Sequence, residues 1–180
     1  MPPTESAAGL PHPELVAAIP RLRRYARVLC GDVARADDLV QDALARAWEK
    51  RSLWRAGSDL RAWLFTVMHN VHVNQLATSR REAGNVSLDA EGEHGAAWQV
   101  PARGNPFDRI ELLELVVHMG RLPLEQREVL LLAAVEEMPY EEIAATLRIP
   151  IGTVMSRLSR ARAKLRRMTA ETPSTLKVVK

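Results

Sequence analysis

PYEEIAATLRIPIGTVMSRLSRARAKLRR, Pro139 to Arg167, reads as two short helices joined by a tight turn, the second almost purely cationic. From Arg148 to the C-terminus there are nine Lys/Arg against one acid, Glu171. From Asn105 to Leu147 there are three Lys/Arg against nine Asp/Glu. A charge step of that size between adjoining stretches marks the face that meets a polyanion. An ordinary solvated helix mixes both signs for i, i+4 pairing, yet no acid lies between Arg148 and Ala170. With helix-turn-helix spacing, the polyanion is DNA.

The packing demands of such a pair are met. Ile143, Ala144 and Leu147 give the bracing helix an inner face, and Arg148 to Gly152 reads as the turn. In the next helix, expected to reach Met168, Val154, Leu158, Ala161 and Leu165 recur at i, i+4, i+7, i+11 and form the buried stripe. The opposite positions are Met155, Ser156, Arg157, Ser159, Arg160 and Lys164. Arg reads guanine bidentately, Ser bonds base edges or phosphates, and the later Arg and Lys residues clamp phosphates. Thr153, with the free N–H groups beside it, suits a phosphate at the helix start.

Outward from this segment, alternating β-branched runs are absent, whereas Ala, Leu, Arg and Glu dominate at helical spacing. The chain reads as all-α. A first helix is expected over Glu14–Leu29, broken by Gly31, with Asp32 as cap of a second. Leu39, Val40, Ala43, Leu44, Ala47 and Trp48 form the apolar stripe of that second helix, and Asp37, Asp38, Gln41, Asp42 and Glu49 its other face. SLWRAGSD is a loop with Gly57 as turn residue and Ser58 or Asp59 as cap. A third helix follows over Leu60–Arg80, with Leu60, Trp63, Leu64, Val67, Met68 and Val71 inward and Asn70 and Asn74 sharing another face.

Periodicity vanishes over AGNVSLDAEGEHGAAWQVPARGN, residues 83–105, which reads as an interdomain linker. Two domains are therefore expected, 13–82 and 106–168, flanked by a disordered N-terminus (1–12) and a disordered tail (169–180). The second domain opens with a helix over Phe107–Gly120 and another from Pro123.

Of the 180 residues, 47% are apolar, enough for packed cores, and no run approaches a membrane span. The N-terminus MPPTESAAGLPHPE lacks the regions of a signal peptide. Cys30 is the sole cysteine and reads as a buried thiol. A soluble cytoplasmic protein without membrane insertion is expected. No nucleophile–base pair, metal cluster or phosphate loop suggests an enzyme, a cofactor or a small-molecule substrate. His69 and His72 have metal-ligand spacing but no further ligands nearby, and read as polar surface or DNA-facing residues.

ADDLVQDALARAW, then DLRAWLFTVMHNVHVNQL, then LPLEQREVLLLAAVEEMPYEEIAATLRIPIGTVMSRLSRARAKL jointly resemble the extracytoplasmic-function sigma factors, the smallest sigma-70-like initiation factors. The likeness runs from Ile19 to Arg167, and LRRYARVLCGD through LRAWLFTVMHN also resembles the general-stress-response branch. It implies a region 2 helical bundle and a region 4 helix-turn-helix. Asp37, Asp38, Gln41 and Asp42 match the segment that docks on the β′ clamp helices of core RNA polymerase.

SLWRAGSD and the third helix match the segment that melts and reads the −10 element, with Asn70 at the pocket for a flipped base and Asn74 one turn on. Arg55, Arg61, Arg80 and Arg81 are implied to contact the opened strand's backbone, and Trp54 to stack on a base, whereas Trp63 reads as core. The helix-turn-helix is implied to read the −35 duplex. Met155 departs from the family, which often carries a basic residue there; it offers only apolar contacts, as to a thymine methyl, shifting base reading to Ser156, Arg157, Ser159 and Arg160. Asp89, Glu91 and Glu93 of the linker are expected to mimic RNA charge near the polymerase channel. An anti-sigma partner is implied as well. Two rivals remain: a self-sufficient dimeric helix-turn-helix regulator, and an adaptor that sequesters an anti-sigma factor.

Overall fold

A computed structural model describes residues 12–82 and 114–171. Every regular element among them is helical, and they fall into two compact units. The linker 83–105 with its three acids and Trp98, residues 1–11 and the tail after 171 lie outside the described residues.

The first unit contains α1 (His12–Cys30), α2 (Val33–Glu49), a 3₁₀ turn (Arg51–Leu53) and α3 (Leu60–Glu82). Gly31 ends α1 at φ 70°, a conformation that glycine adopts without a steric penalty, and its N–H bonds the Arg27 carbonyl at 2.9 Å. Asp32 then caps α2 as anticipated, its carboxylate accepting from the Arg35 N–H at 2.8 Å. Asp59, rather than Ser58, caps α3, accepting from the N–H groups of Arg61 (2.8 Å) and Ala62 (3.2 Å). Loss of one such cap costs about 1 kcal/mol.

The first core joins Leu22, Tyr25, Ala26 and Leu29 of α1 to Ala36, Leu39, Val40, Ala43 and Ala47 of α2 and to Leu64, Phe65 and Met68 of α3. Tyr25 meets Phe65 edge-on, ring centres 4.9 Å apart. Three expectations need correction. Trp48 lies outside the core, 48% exposed, with the Arg51 guanidinium 5.1 Å above its ring. At about 100° per residue, the nine-residue step from Leu39 carries Trp48 to the opposite side of the helix. Trp63 is only half-buried, while Phe65 and His72 are buried. The inward stripe of α3 is rotated toward those two, so His72 is not the polar surface residue expected.

The second half of the chain contains a helix α4 whose described part covers residues 114–120, then α5 (Leu124–Ala134), α6 (Tyr140–Leu147) and α7 (Ile151–Glu171). α5 is buried on most sides and packs chiefly on α7. Ile143 and Leu147 are buried and Ala144 is half-buried; Val154, Leu158 and Ala161 are buried and Leu165 is half-buried.

Several charged side chains are unexpectedly buried in this part of the chain, Glu136, Glu128 and Arg127 among them, Arg127 being 5% exposed. Its guanidinium donates to the carbonyls of Met119 (2.9 Å), Gly120 and Leu122 (3.0 Å). The Met119 carbonyl also accepts from the Leu122 N–H at 3.1 Å. These carbonyls lie at the end of α4 and in the following turn, where i+4 donors run out, and a planar fork of N–H groups suits them.

The turn before α7 is shorter than expected: Arg148, Ile149 and Pro150 only, with Gly152 already inside the helix. The fixed φ of Pro150 lets the helix begin at once, its carbonyl accepting from Thr153 (2.8 Å) and Val154 (3.2 Å). The reversal is taken by Arg148 at φ 54°, a left-handed conformation costing a non-glycine residue about 1–2 kcal/mol. α7 also continues to Glu171, past Met168.

Candidate nucleic-acid interface

On α7 the buried stripe leaves a broad outer arc. Ile151, Gly152, Met155, Ser156, Ser159 and Arg160 are exposed on its first three turns. Arg162, Arg166 and Arg167 are exposed further on, while Thr153 and Lys164 are half-buried on one flank. Ser156 donates its hydroxyl hydrogen to the Thr153 carbonyl at 3.1 Å, which leaves its oxygen lone pairs outward.

Arg157 departs from expectation. It lies on the flank with Thr153 and Lys164, its side chain is 22% exposed, and its Nη2 is 2.6 Å from a carboxylate oxygen of Glu125 on α5. The charge read as an outward base contact is thus engaged within the unit. The sequence hinted at this only through Glu125, an acid in the first turn of the helix that packs on α7.

In the first unit, Gly57 turns the loop at φ 85°, and Ser58 holds the turn with its N–H (3.0 Å) and hydroxyl (2.7 Å) on the Arg55 carbonyl. Arg55 is exposed beside it. Trp54 is half-buried, with its indole N–H enclosed and without an acceptor among the described residues. Arg61 is half-buried, 3.5 Å from Asp59. Asn70 is half-buried and donates from Nδ2 to the Thr66 carbonyl at 2.7 Å, so its amide is turned back along α3. Asn74, Arg80 and Arg81 are exposed. The helix therefore presents Asn70, Asn74 and a basic C-terminal end, whereas Arg61 sits at its N-terminal end.

The acidic face of α2 is braced from both sides. Asp37 faces Arg23 of α1 at 3.9 Å, and Asp42 accepts from Gln75 of α3 at 2.8 Å. Asp38 and Gln41 between them are exposed. Trp48 follows at the C-terminal end of the same helix, with Arg51 over its ring, and Leu53, 67% exposed, lies in the 3₁₀ turn just beyond. Those apolar side chains were missed because the spacing had assigned Trp48 to the core.

Among the described residues no His, Cys, Asp and Glu side chains gather into a group of three or more fit for a metal, and no helix is long and apolar enough to cross a membrane.

Comparison with known proteins places both units. Residues 15–69 match the model of the Sigma2 domain of PhyR, and residues 112–165 match Sigma-70, region 4. The chain is 37% identical over 152 residues to the ECF RNA polymerase sigma factor EcfG of Rhodopseudomonas palustris, covering 84% of this chain and 81% of that one. Among solved structures it resembles the sigma factor RpoE of Bartonella quintana, in complex with the anti-sigma factor NepR, at TM-score 0.72 and 32% identity, over 90% of this chain and 98% of that one. It also resembles CnrH in complex with the cytosolic domain of CnrY, at TM-score 0.62 and 27% identity, over 93% and 94% of the two chains. A Sigma2 domain and a sigma-70 region 4 matched in that order, with 37% identity to a sigma factor over most of both chains, mean that the protein belongs to the extracytoplasmic-function sigma factors of RNA polymerase.

Proposed function

We propose that residues 13–82 dock on core polymerase and read the melted −10 strand, that residues 106–168 read the −35 duplex, and that residues 83–105 link the two. The observation that carries this division is the opposite charge of two exposed faces: Asp38 and Gln41 flanked by Asp37 and Asp42 on α2, and Arg160, Arg162, Arg166 and Arg167 on α7. An acidic helix face selects a basic helical clamp, and one whose charges are all positive selects phosphate.

Asp37, Asp38, Gln41 and Asp42 form the clamp-docking face. Asn70 and Asn74 meet the −10 bases, with Arg55, Arg61, Arg80 and Arg81 along the strand. At the −35 element, Ser156, Ser159 and Arg160 supply polar contacts, Met155 an apolar one, and Thr153 and Lys164 lie toward a phosphate backbone. Arg157 positions the helix through Glu125. The bond-making chemistry stays with the polymerase, and the protein works in the cytoplasm. Its regulon serves a stress response, as the likeness to the general-stress-response branch implies. An anti-sigma factor holds it inactive; what supports this is that the RpoE likeness is to a sigma factor in complex with one, NepR.

The test uses reconstituted holoenzyme on one promoter. Asn70→Ala is expected to reduce permanganate reactivity of −10 thymines while footprint protection at −35 stays near normal. Arg160→Ala is expected to weaken −35 protection first. If both substitutions lower only duplex affinity, the division of labour is wrong.

A further inference from the structure

Half of the recognition surface carries no charge. Over its first two turns the outward arc of α7 presents Ile151 (38% exposed), Gly152, Met155 (51% exposed) and Ser156. Arg157, the only cation in that stretch, is drawn to Glu125. Within α7 the exposed cations begin at Arg160, Arg148 being exposed in the turn before it. At about 100° per residue, Ile151, Met155, Arg162 and Arg166 lie along one flank of the helix, two apolar chains followed by two cations. A β-carbon at Gly152 would meet nothing within 4 Å, so the fold itself does not require a glycine there. A bare backbone at that point suits close approach to something outside the chain.

We infer that Ile151 and Met155 form a methyl-reading edge that selects thymine in the −35 element. This rests on the assignment of α7 to the −35 duplex. With the cations of the same flank on phosphates, the N-terminal turns of the helix face the floor of the major groove. The base feature there that an apolar side chain distinguishes is the thymine C5 methyl; every other edge offers donors or acceptors that neither residue can pair. Covering two large exposed apolar chains also removes surface from water, which favours the complex over free protein.

The experiment uses holoenzyme on a promoter selected by the wild-type protein from a library randomised across the −35 element. Single thymines of either strand are replaced by uracil, which deletes only the methyl group. The wild type is expected to lose about fourfold in affinity at one or two positions, the value of one buried methyl. Met155→Ala, an exposed change that leaves the core intact, is expected to bind more weakly and to be indifferent to uracil at those positions. Cytosine and 5-methylcytosine, placed at the same positions, are expected to differ for the wild type but not for Met155→Ala.

Indifference of the wild type to uracil everywhere, with −35 base-pair changes still costly, overturns the methyl edge alone. That outcome is also the one expected if the apolar pair serves a protein contact. Sensitivity retained in the Ile151→Ala, Met155→Ala double variant overturns it as well. Indifference to all −35 base-pair changes overturns the assignment of α7 itself.

Discussion

The pairing of Arg157 with Glu125 makes an electrostatic forecast that differs from the usual reading of a basic recognition helix. The two groups approach to 2.6 Å, but the Glu125 side chain is 68% exposed and that of Arg157 22%. With one partner so well solvated the pair counts as a surface ion pair, with a coupling of about 0.2–1 kcal/mol. In a unit of this size that shifts the unfolding midpoint by at most about 4–8 °C. The larger consequence lies in binding. Each cation that neutralises a phosphate steepens the dependence of log K on log salt by about 0.9. Arg157, held by Glu125 on the flank and away from the exposed arc, is expected to contribute little to that slope, whereas exposed Arg160 contributes a full increment.

Holoenzyme affinity for one promoter, measured from low to moderate KCl, therefore separates the residues. Arg157→Ala is expected to weaken binding with the slope unchanged, and Arg160→Ala to flatten the slope by about 0.9. Glu125→Gln releases Arg157 and is expected to steepen the slope by up to that amount. A thermal double-mutant cycle on Glu125 and Arg157 reads the coupling directly. If Arg157→Ala flattens the slope by a full increment and Glu125→Gln leaves it unchanged, Arg157 is a phosphate or base contact and the positioning role is refuted.

Other consequences follow from single side chains. Arg127→Met removes the guanidinium from the carbonyls of Met119, Gly120 and Leu122, of which Met119 keeps the Leu122 N–H as donor. It is expected to destabilise the second unit by about 3–5 kcal/mol, because truncating one side of a buried charged contact leaves desolvated polar groups behind. Chemical denaturation followed separately in each unit checks this, with the first unit expected to be unaffected. Asp38→Lys reverses the charge at an exposed position of α2 and is expected to lower affinity for core polymerase without altering the melting temperature, as read by competition for core and by calorimetry. Leu158→Ala opens a cavity under α7 and is expected to cost about 2–5 kcal/mol in urea denaturation.

Much of this architecture was legible because it follows from period and punctuation. Gly31–Asp32 marks a helix end and the next cap in adjacent residues, and the Val154, Leu158, Ala161 stripe identifies the buried side of α7. The misreadings arose where local pattern competes with three-dimensional pairing. Trp48 extended an apolar run in sequence but had rotated out of the stripe. Gly152 looked like a turn residue, yet Pro150 had already begun the helix. Arg127, in LEQREVLLL, looks like a surface residue, since only the turn after α4 reveals the carbonyls it serves. Arg157 was invisible as a pair because Glu125 is distant in sequence and meets it only once α5 packs on α7.

The central claim is that this chain confers promoter specificity on core RNA polymerase. Run-off transcription with purified core enzyme, with and without the protein, on fragments of its own genome tests that most directly. Discrete transcripts starting at defined sites are expected only when the protein is added, and the same fragments are expected to remain silent with core alone. Tight binding of the protein to duplex DNA in the absence of polymerase, with no promoter-dependent initiation on any fragment, would contradict the account.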